Sequence, residues 1–246
     1  MKKTLILSAG MPRAGSCWYF NLVHDLVVAG GGHNTRTIRK RYHLGGILTE
    51  VNCNISTLRF HRLFPVMIPS FLGNEFVIKT HASPTKYFRS LRRRGQILAT
   101  YIFRDPRAAL LSAYEYGQRG LAKGRPNAFS HLLTMGNAAD FMDAYVQIWA
   151  EWSNIDGVLI VRYEDLVADF DSEVERLSMF LGKDISQKNT RSVIDSFRPE
   201  GGDILRKGTH FHKGEIERYR QELSASDLER FTTRYKSVLN RMGYEL

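Results

Sequence analysis

The sequence is poor in cysteine, and it lacks any apolar run long enough to cross a bilayer. Only Cys17 and Cys53 occur among 246 residues, so neither a disulfide framework nor a cysteine-based metal site is available. Two isolated cysteines fit a reducing compartment and predict a cytoplasmic location. The apolar run after Met1 is too short for a signal peptide, because Pro12 and Arg13 follow almost at once. We expect no transmembrane segment, and peripheral membrane contact stays open.

The sequence also has fewer acidic than basic residues. The chain has 35 Lys and Arg against 25 Asp and Glu, a formal net charge of +10 at pH 7. This balance attracts anions, which leaves nucleic acid, a membrane surface and a small phosphorylated ligand as partner classes. The basic runs 36–41 and 92–94 are the best nucleic-acid candidates, but no aromatic-basic RNA motif accompanies them. Solvated basic faces are the simpler interpretation, and we predict no nucleic-acid partner.

Strand-like and helix-like segments alternate along the chain, without repeats or low-complexity linkers. Apolar or β-branched runs predict strands at 4–9, 76–80, 97–103 and 158–161. Helical spacing predicts helices at 16–28 and 140–152, one ending at Gly182, and one after the capping box Ser224-x-x-Asp227. The alternation predicts an α/β fold, a single domain over 1–246 with a mostly parallel central sheet flanked by helices. Its assignment as a P-loop-like nucleotide-binding fold depends on the segments that follow the strands.

Residues 30–47 interrupt this alternation. They are rich in glycine and in basic side chains, and we interpret them as a mobile excursion.

The segment after the first strand is a candidate phosphate loop. Gly10 and Gly15 bracket a short turn before a predicted helix, and the backbone N–H groups of such a turn can hold a phosphate. The spacing is similar to that of a nucleotide-triphosphate loop, but Ser16 stands where the lysine is expected. The kinase interpretation is therefore weakened. Taken alone, this segment fits a plain strand–helix turn, with Arg13 exposed to solvent, as well as it fits a phosphate loop.

Two further strand ends carry polar side chains at the edge where parallel sheets bind ligands. Arg104 ends the third strand and Ser112 lies about two turns into the next helix, so both can converge on a second phosphate. His81 follows Lys79 at the end of the second strand and is placed as a general base. Taken singly, a surface ion pair and a structural histidine are the simpler interpretations.

These segments together resemble the cytosolic-type sulfotransferases, in the right order and over nearly the whole chain. The stretch from Pro12 to Trp18 (Pro-Arg-Ala-Gly-Ser-Cys-Trp) is similar to the family's 5′-phosphosulfate loop, Pro-Lys-Ser-Gly-Thr-Thr-Trp. The other matches are Lys79-Thr80-His81 with the catalytic base, Arg104-Asp105-Pro106 followed by Ser112, Tyr163-Glu164-Asp165, and the terminal Met242-Gly243-Tyr244.

The resemblance implies an enzyme that moves a sulfonate group from 3′-phosphoadenosine 5′-phosphosulfate (PAPS) to a hydroxyl, less often an amine. The product is 3′-phosphoadenosine 5′-phosphate (PAP), and no metal is required. The implied catalytic residues are His81 as base, Lys79 at the sulfonate and Arg13 at the leaving phosphate. The implied donor site comprises Arg13, Ala14, Gly15, Ser16, Cys17, Trp18, Arg104, Ser112, Tyr163, Phe197, Arg206, Lys207, Lys213 and Gly214.

The chain departs from the family pattern at several of these positions. Arg13 replaces a lysine, and Cys17 replaces a threonine whose hydroxyl binds phosphate. The late basic clamp is ambiguous, because Arg206-Lys207-Gly208 matches by letters and Lys213-Gly214 by its distance to Tyr219. Phe197 resembles the family phenylalanine that packs on adenine, and a core aromatic is an equal interpretation.

The acceptor is implied only by class, as a small-molecule, lipid or carbohydrate hydroxyl. The variable loops expected to form its pocket are 30–70, 117–128 and 200–215. Nearby aromatic residues suit an apolar alcohol or phenol, namely Tyr42, Phe60, Phe64, Tyr114 and Tyr116. The arginines of 36–41 suit an anionic sugar or lipid headgroup instead.

Two alternatives remain, a P-loop-type nucleotide or small-molecule kinase and a non-catalytic nucleotide-binding module. The missing loop lysine argues against the kinase, and His81 argues against the inactive module. The sequence does not indicate an oligomeric state.

Overall fold

A parallel sheet forms the centre of the molecule. The structure, a computed structural model, describes residues 4–199 and 216–246. Its five strands are β1 (Leu5–Gly10), β2 (Asn54–Ile55), β3 (Phe76–Thr80), β4 (Ile97–Phe103) and β5 (Leu159–Arg162). They lie in the order β2-β3-β1-β4-β5, and every neighbouring pair is parallel. The predicted α/β fold with a parallel central sheet is confirmed.

Helices cover both faces of this sheet, as parallel strands require. Leu5 and Leu7 of β1 belong to one hydrophobic cluster and Ile6 to the other, because successive strand residues point to opposite faces. The helices are α1 (Ser16–Ala29), α2 (Thr35–Arg41), α3 (Phe60–Phe71), α4 (Lys86–Arg93), α5 (Pro106–Ala122), α6 (Met135–Ser153), α7 (Tyr163–Ala168), α8 (Phe170–Leu181), α9 (Lys188–Ser196), α10 (Tyr219–Glu222) and α11 (Ala225–Met242). Within the described ranges, no helix has the length and apolar character needed to span a bilayer.

Several local predictions agree with the structure. The strands predicted at 76–80 and 97–103 have these limits. Ser224 caps α11 by accepting a hydrogen bond from the Asp227 N–H, and Gly182 ends α8 in the left-handed conformation at φ 63°. Such signals depend only on neighbouring residues, which explains why the sequence reveals them.

Two local interpretations were wrong. Residues 30–47 contain α2 and a short 3-10 helix (Leu44–Gly46) instead of an irregular excursion. Asn34 caps α2 by accepting from the N–H groups of Arg36 and Thr37, a signal hidden by the preceding glycines. The apolar residues from Leu166 to Leu181 recur at the spacing of one continuous helix that stops at Gly182, but the structure divides this stretch into two helices. Asp169 (φ −132°, ψ 66°) separates α7 from α8 and caps α8 through the Ser172 N–H.

A buried polar network joins the end of β4, the start of α7 and the C-terminus. The Asp105 N–H donates to Glu164 Oε1 at 3.2 Å, and the Tyr244 hydroxyl donates to Glu164 Oε2 at 2.7 Å. Arg107 pairs with Asp105 at 2.8 Å and donates to the Glu245 carbonyl at 2.7 Å. Burial raises the pKa of Glu164, while these hydrogen bonds oppose the rise. The network fixes the backbone that carries Arg104 and Tyr163.

We predict that Tyr244→Phe lowers the free energy of unfolding by about 1.5–3 kcal/mol, the range for a hydrogen bond to a charged group. The substitution leaves one oxygen of buried Glu164 without its hydroxyl donor. Urea unfolding at pH 7 measures the change, and Tyr87→Phe, at a half-buried tyrosine of α4, is the control. Equal losses in the two variants would show that the hydroxyl contact is not stabilising.

Candidate active site

The loop between β1 and α1 has the geometry of an anion site. Gly15 precedes α1 with φ 69°, and a Cβ there would lie 2.7 Å from the Tyr163 ring, so only glycine fits. No described side chain caps the first turn of α1, and that turn contains no acidic residue. The positive end of the helix therefore faces the loop without a competing carboxylate. Arg13 also has a positive φ of 63°, a strained conformation typical of functional loops.

The loop forms one wall of a cavity of about 500 Å³. Because all five strands are parallel, their carboxyl ends meet at one edge, and the cavity lies there. Its lining residues are Pro12, Arg13, Gly15, Ser16, Cys17, Trp18, Thr49, Glu50, Val51, Asn52, Asn54, Lys79, His81, Arg104, Ser112, Tyr116, Asn127, Ala128, Phe129 and Tyr163. Three of these are cationic and one is acidic.

Arg13 is held between aromatic rings rather than by a carboxylate. Its guanidinium carbon lies 4.5 Å from the centre of the Tyr116 ring and 5.6 Å from that of Phe129. Its Nε donates to Ser112 Oγ at 3.2 Å. Burial lowers the pKa of Arg13 to about 10, so the group stays charged at neutral pH. Among the described residues it has no ion pair, and an anion in the cavity would supply one.

Lys79 brings a second cation to the same loop. The residue is only 3% exposed, and its Nζ lies 2.9 Å from the sulfur of Cys17 in the first turn of α1. No acidic side chain in the described part of the chain pairs with this ammonium group. An unpaired buried ammonium is costly, which indicates that the site is built for an anion.

His81 is held in one tautomer by the backbone. Its Nδ1 lies 2.6 Å from the Gly10 carbonyl oxygen, which can only accept, so Nδ1 carries the proton. In the neutral ring Nε2 is then free of a proton and can act as a base. Burial and the nearby charge of Lys79 lower the pKa of His81 to about 3. The ring is therefore neutral at pH 7 in the free protein.

The far side of the cavity brings together the second group of predicted residues. Arg104 leaves the end of β4, and its guanidinium carbon lies 4.6 Å from the centre of the Tyr163 ring. Ser112 in α5 lines the cavity with them. Trp18 packs edge-on to Tyr163, with ring centres 6.4 Å apart, and stacks on Phe170 at 6.1 Å. Residues from four separate segments thus meet in one space.

Not every predicted site residue lines the cavity. Ala14 is fully buried in the core and offers only its backbone. Phe197 is buried in the hydrophobic cluster that also holds Trp18 and Tyr163, and it is not a lining residue. Its contact with adenine therefore stays a prediction. The late clamp residues lie outside the described residues, namely Arg206, Lys207, Lys213 and Gly214.

Two lining segments were predicted only as parts of long variable loops. Residues 49–54 and 127–129 form the wall near His81 and Arg13, together with Tyr116. The Asn127 side chain donates to the Tyr116 carbonyl at 2.7 Å, which fixes this corner. No motif marks these segments. Phe60 and Phe64, offered as pocket aromatics, do not line the cavity and are exposed on α3.

The fold and the site define an α/β protein with a glycine-containing loop at a helix N-terminus and a cationic cavity. The sulfotransferase domain family matches residues 3–243, and the chain belongs to this family. It is 26% identical over 153 residues to the 3-alpha-hydroxysteroid sulfotransferase of Cavia porcellus, with 52% of each chain covered. It is 24% identical over 179 residues to human sulfotransferase 2B1, covering 65% of this chain and 49% of that protein. The matches span about half the length of these relatives.

Solved structures support the same fold. A mouse sulfotransferase complexed with PAP has a TM-score of 0.61 at 14% identity, covering 97% of this chain and 84% of that one. The sulfotransferase domain from the curacin biosynthetic pathway has a TM-score of 0.52 at 14% identity, covering 100% and 99%. At such identities the likeness concerns the fold.

We predict that His81 makes the folded protein sensitive to acid. The unfolded chain takes up a proton at the ordinary histidine pKa of about 6.5, whereas the folded state does so only near pH 3. The unfolded state is therefore favoured increasingly as pH falls from 6.5 toward 3, by at most about 1.4 kcal/mol per pH unit.

Urea unfolding of the wild type and His81→Gln at pH 7.0, 6.0 and 5.0 measures this effect. We expect a shallower pH dependence in His81→Gln, and no change in slope for the exposed control His61→Gln. Parallel curves for the wild type and His81→Gln would rule out a strongly lowered pKa for His81.

Proposed function

We propose that this protein transfers a sulfonate group from PAPS to a hydroxyl group of a small molecule. The observation that carries the proposal is a neutral histidine in one cavity with the buried Lys79, the half-buried Arg13 and the loop before α1. Membership of the sulfotransferase domain family supports it. Several relatives are named for sulfonate transfer, and three of the similar structures contain PAP.

The donor would lie along the cationic wall. The N–H groups at the start of α1, with Ser16 and Arg13, suit the 5′-phosphosulfate, because they offer donors and positive charge without a carboxylate. Arg104 and Ser112 suit the 3′-phosphate. Trp18 and Tyr163 offer aromatic surface for the base. In this arrangement the multiply charged PAPS would neutralise the three cations of the cavity, which otherwise repel one another.

The residues around His81 supply the chemistry. Nε2 accepts the acceptor's hydroxyl proton as the hydroxyl oxygen bonds to sulfur and the bond from sulfur to the phosphate oxygen breaks. The proton ends on His81 and the electron pair on the departing phosphate. Arg13 and the loop N–H groups stabilise the charge that grows on this phosphate, and Lys79 stabilises the sulfonate oxygens. Such preorganised charges accelerate the step because they act most strongly in the transition state.

The structure gives the kinase alternative little support. A P-loop kinase needs a lysine after the second loop glycine, where this chain has Ser16. Lys79 approaches the loop from β3 instead, beside Cys17. Its position suits a sulfonate held between the loop and His81.

The acceptor pocket combines apolar and polar groups. Val51, Tyr116 and Phe129 supply apolar surface. Asn52 Oδ1 is buried without a hydrogen-bond partner among the described residues, so it can accept from a second hydroxyl. Glu50 at the rim disfavours a strongly anionic acceptor. We therefore propose a largely apolar alcohol or phenol that carries a further hydrogen-bond donor.

We predict that the protein binds PAP much more tightly than adenosine 5′-phosphosulfate, which lacks the 3′-phosphate. Arg104→Ala should weaken PAP binding by roughly 2–4 kcal/mol, because a buried charge partner is lost. Isothermal titration calorimetry measures both effects. Arg93→Ala removes an equal charge from an exposed position of α4 and serves as the control. Equal affinity for the two nucleotides would show that Arg104 and Ser112 do not bind the 3′-phosphate.

We predict that His81→Ala lowers turnover by about 10²–10⁴-fold, the usual contribution of a positioned general base. PAP affinity should hardly change, because the phosphate contacts come from the loop and Arg104. A screen with labelled PAPS against alcohols, phenols and glycans identifies the acceptor. Turnover of that acceptor is then measured for the wild type and for His81→Ala. Near-normal turnover in His81→Ala would assign a structural role to this histidine. Loss of transfer on chelation of magnesium would favour the kinase.

A further inference from the structure

One helix exposes an unusually continuous apolar stripe. Four side chains of α3 are 40–57% exposed, and their spacing of three or four residues places them on one face; they are Phe60, Phe64, Ile68 and Phe71. Leu72, the residue after the helix, is 66% exposed. The opposite face of α3 packs into the core through Leu63, Val66 and Met67. α3 is thus anchored by one apolar face and presents a second one outward. We call the five exposed side chains the α3 stripe.

The stripe is supported by its own aromatic packing. The Phe60 and Phe64 rings stack with centres 5.1 Å apart, and Tyr87 of α4 packs edge-on to Phe60 at 5.1 Å. Large exposed apolar patches of this kind usually mark a binding surface. Single exposed apolar residues elsewhere, such as Leu133 and Met179, lack such neighbours among the exposed large side chains of the described chain.

The chain around the stripe is strongly basic. Residues 30–72 contain six Lys and Arg and only one acidic residue, Glu50. Within the described residues no ion pair involves any side chain of 30–72, whereas Arg176, Arg198, Arg218 and Arg234 elsewhere all pair with carboxylates. Arg36, Arg39 and Arg62 donate to backbone carbonyls. The other three basic side chains, Lys40, Arg41 and Arg59, are exposed, and no described carboxylate pairs with them.

These cations border the stripe at both ends. Arg59 is exposed directly before Phe60. At the other end, Asn74 donates to the Tyr42 hydroxyl at 3.1 Å, which brings the end of α2, with exposed Lys40 and Arg41, close to Leu72. An apolar face flanked by basic side chains is the pattern of a segment that lies in a lipid interface.

We propose that the α3 stripe and its basic border bind the surface of an anionic lipid bilayer. Phe60, Phe64 and Ile68 would enter the region between headgroups and acyl chains, and Lys40, Arg41 and Arg59 would contact anionic headgroups. A second copy of this chain suits the surface less well, because a symmetric contact would bring two basic borders together. This binding does not depend on the proposed sulfonate transfer.

The stripe also has a defined relation to the cavity. β2 ends at Ile55 and β3 begins at Phe76, so α3 runs from the carboxyl edge of the sheet back to its amino edge. Phe60 therefore lies at the edge that holds the cavity, and Leu72 lies at the opposite edge. The buried side chains of α3 belong to the same hydrophobic cluster as Leu5 and Leu7 of β1, so the helix lies on that face of the sheet.

The test uses the full chain and sedimentation with vesicles of neutral phosphatidylcholine, with and without about one third phosphatidylglycerol, at low and physiological salt. We expect binding to the anionic vesicles that weakens as salt rises. Phe64→Ser with Ile68→Ser should lower the partition coefficient at least about tenfold, because two large side chains lose their apolar insertion. Leu133→Ser with Met179→Ser is the matched control, since it removes two exposed apolar side chains elsewhere.

A second pair of variants tests the basic border. Lys40→Glu with Arg41→Glu should lower the partition coefficient by about 25-fold or more, from about fivefold for each basic residue near the surface. Lys188→Glu with Lys236→Glu changes net charge equally at exposed positions of α9 and α11 and should have a much smaller effect. Circular dichroism confirms that each variant is folded.

Three results would overturn the proposal. The first is no binding to anionic vesicles. The second is equal loss of binding in each test pair and its control, which would indicate general charge attraction alone. The third is a concentration-dependent dimer in analytical ultracentrifugation that the Phe64→Ser and Ile68→Ser pair dissociates, which would make a second copy the occupant.

Discussion

The site depends on one constraint, which is that three cations line the same cavity: Arg13, Lys79 and Arg104. Among the described residues, no carboxylate pairs with Arg13 or Lys79. Like charges at close range repel, and burial removes the water that would screen them. The surrounding structure must therefore hold them rigidly. Lys79 stands on β3 in the sheet, Arg13 lies between two aromatic rings, and Arg104 follows a strand beside Tyr163. A bound polyanion would convert this repulsion into attraction, which ties donor binding to the stability of the site.

His81 stays neutral in this setting because burial and the nearby charge of Lys79 disfavour a second proton on the ring. Its Nδ1 proton is committed to the Gly10 carbonyl, and Lys79 disfavours a second positive charge on the ring. The hydrogen bond also joins the ends of β1 and β3, so His81 and the loop before α1 share one rigid support. The buried network of Asp105, Glu164 and Tyr244 does the same for β4, β5 and the C-terminus. The geometry of the candidate site and the stability of the fold thus depend on the same contacts.

The molecule separates its positive charge into two regions with different partners. At the carboxyl edge of the sheet, the buried Lys79 and the half-buried Arg13 and Arg104 line a concave site that suits one compact polyanion. Around α3, exposed cations accompany the apolar α3 stripe on an outer surface. A net charge of +10 does not distinguish these uses. Burial and surface shape distinguish them, because a concave cavity suits a single small ligand and an exposed apolar face suits an extended surface such as a bilayer.

The sequence by itself determined the parallel α/β fold, the strands around Lys79 and Arg104, and helix limits such as Ser224 and Gly182, because each depends on local spacing and capping. The ordered motifs also indicated the family. Only the tertiary structure revealed α2, the break at Asp169, the wall formed by residues 49–54 and 127–129, and the buried position of Phe197. These features depend on which distant segments pack together. The aromatic support of Arg13 and the tautomer of His81 arise from contacts across 71 to 116 positions of the chain, where no local pattern specifies the partner.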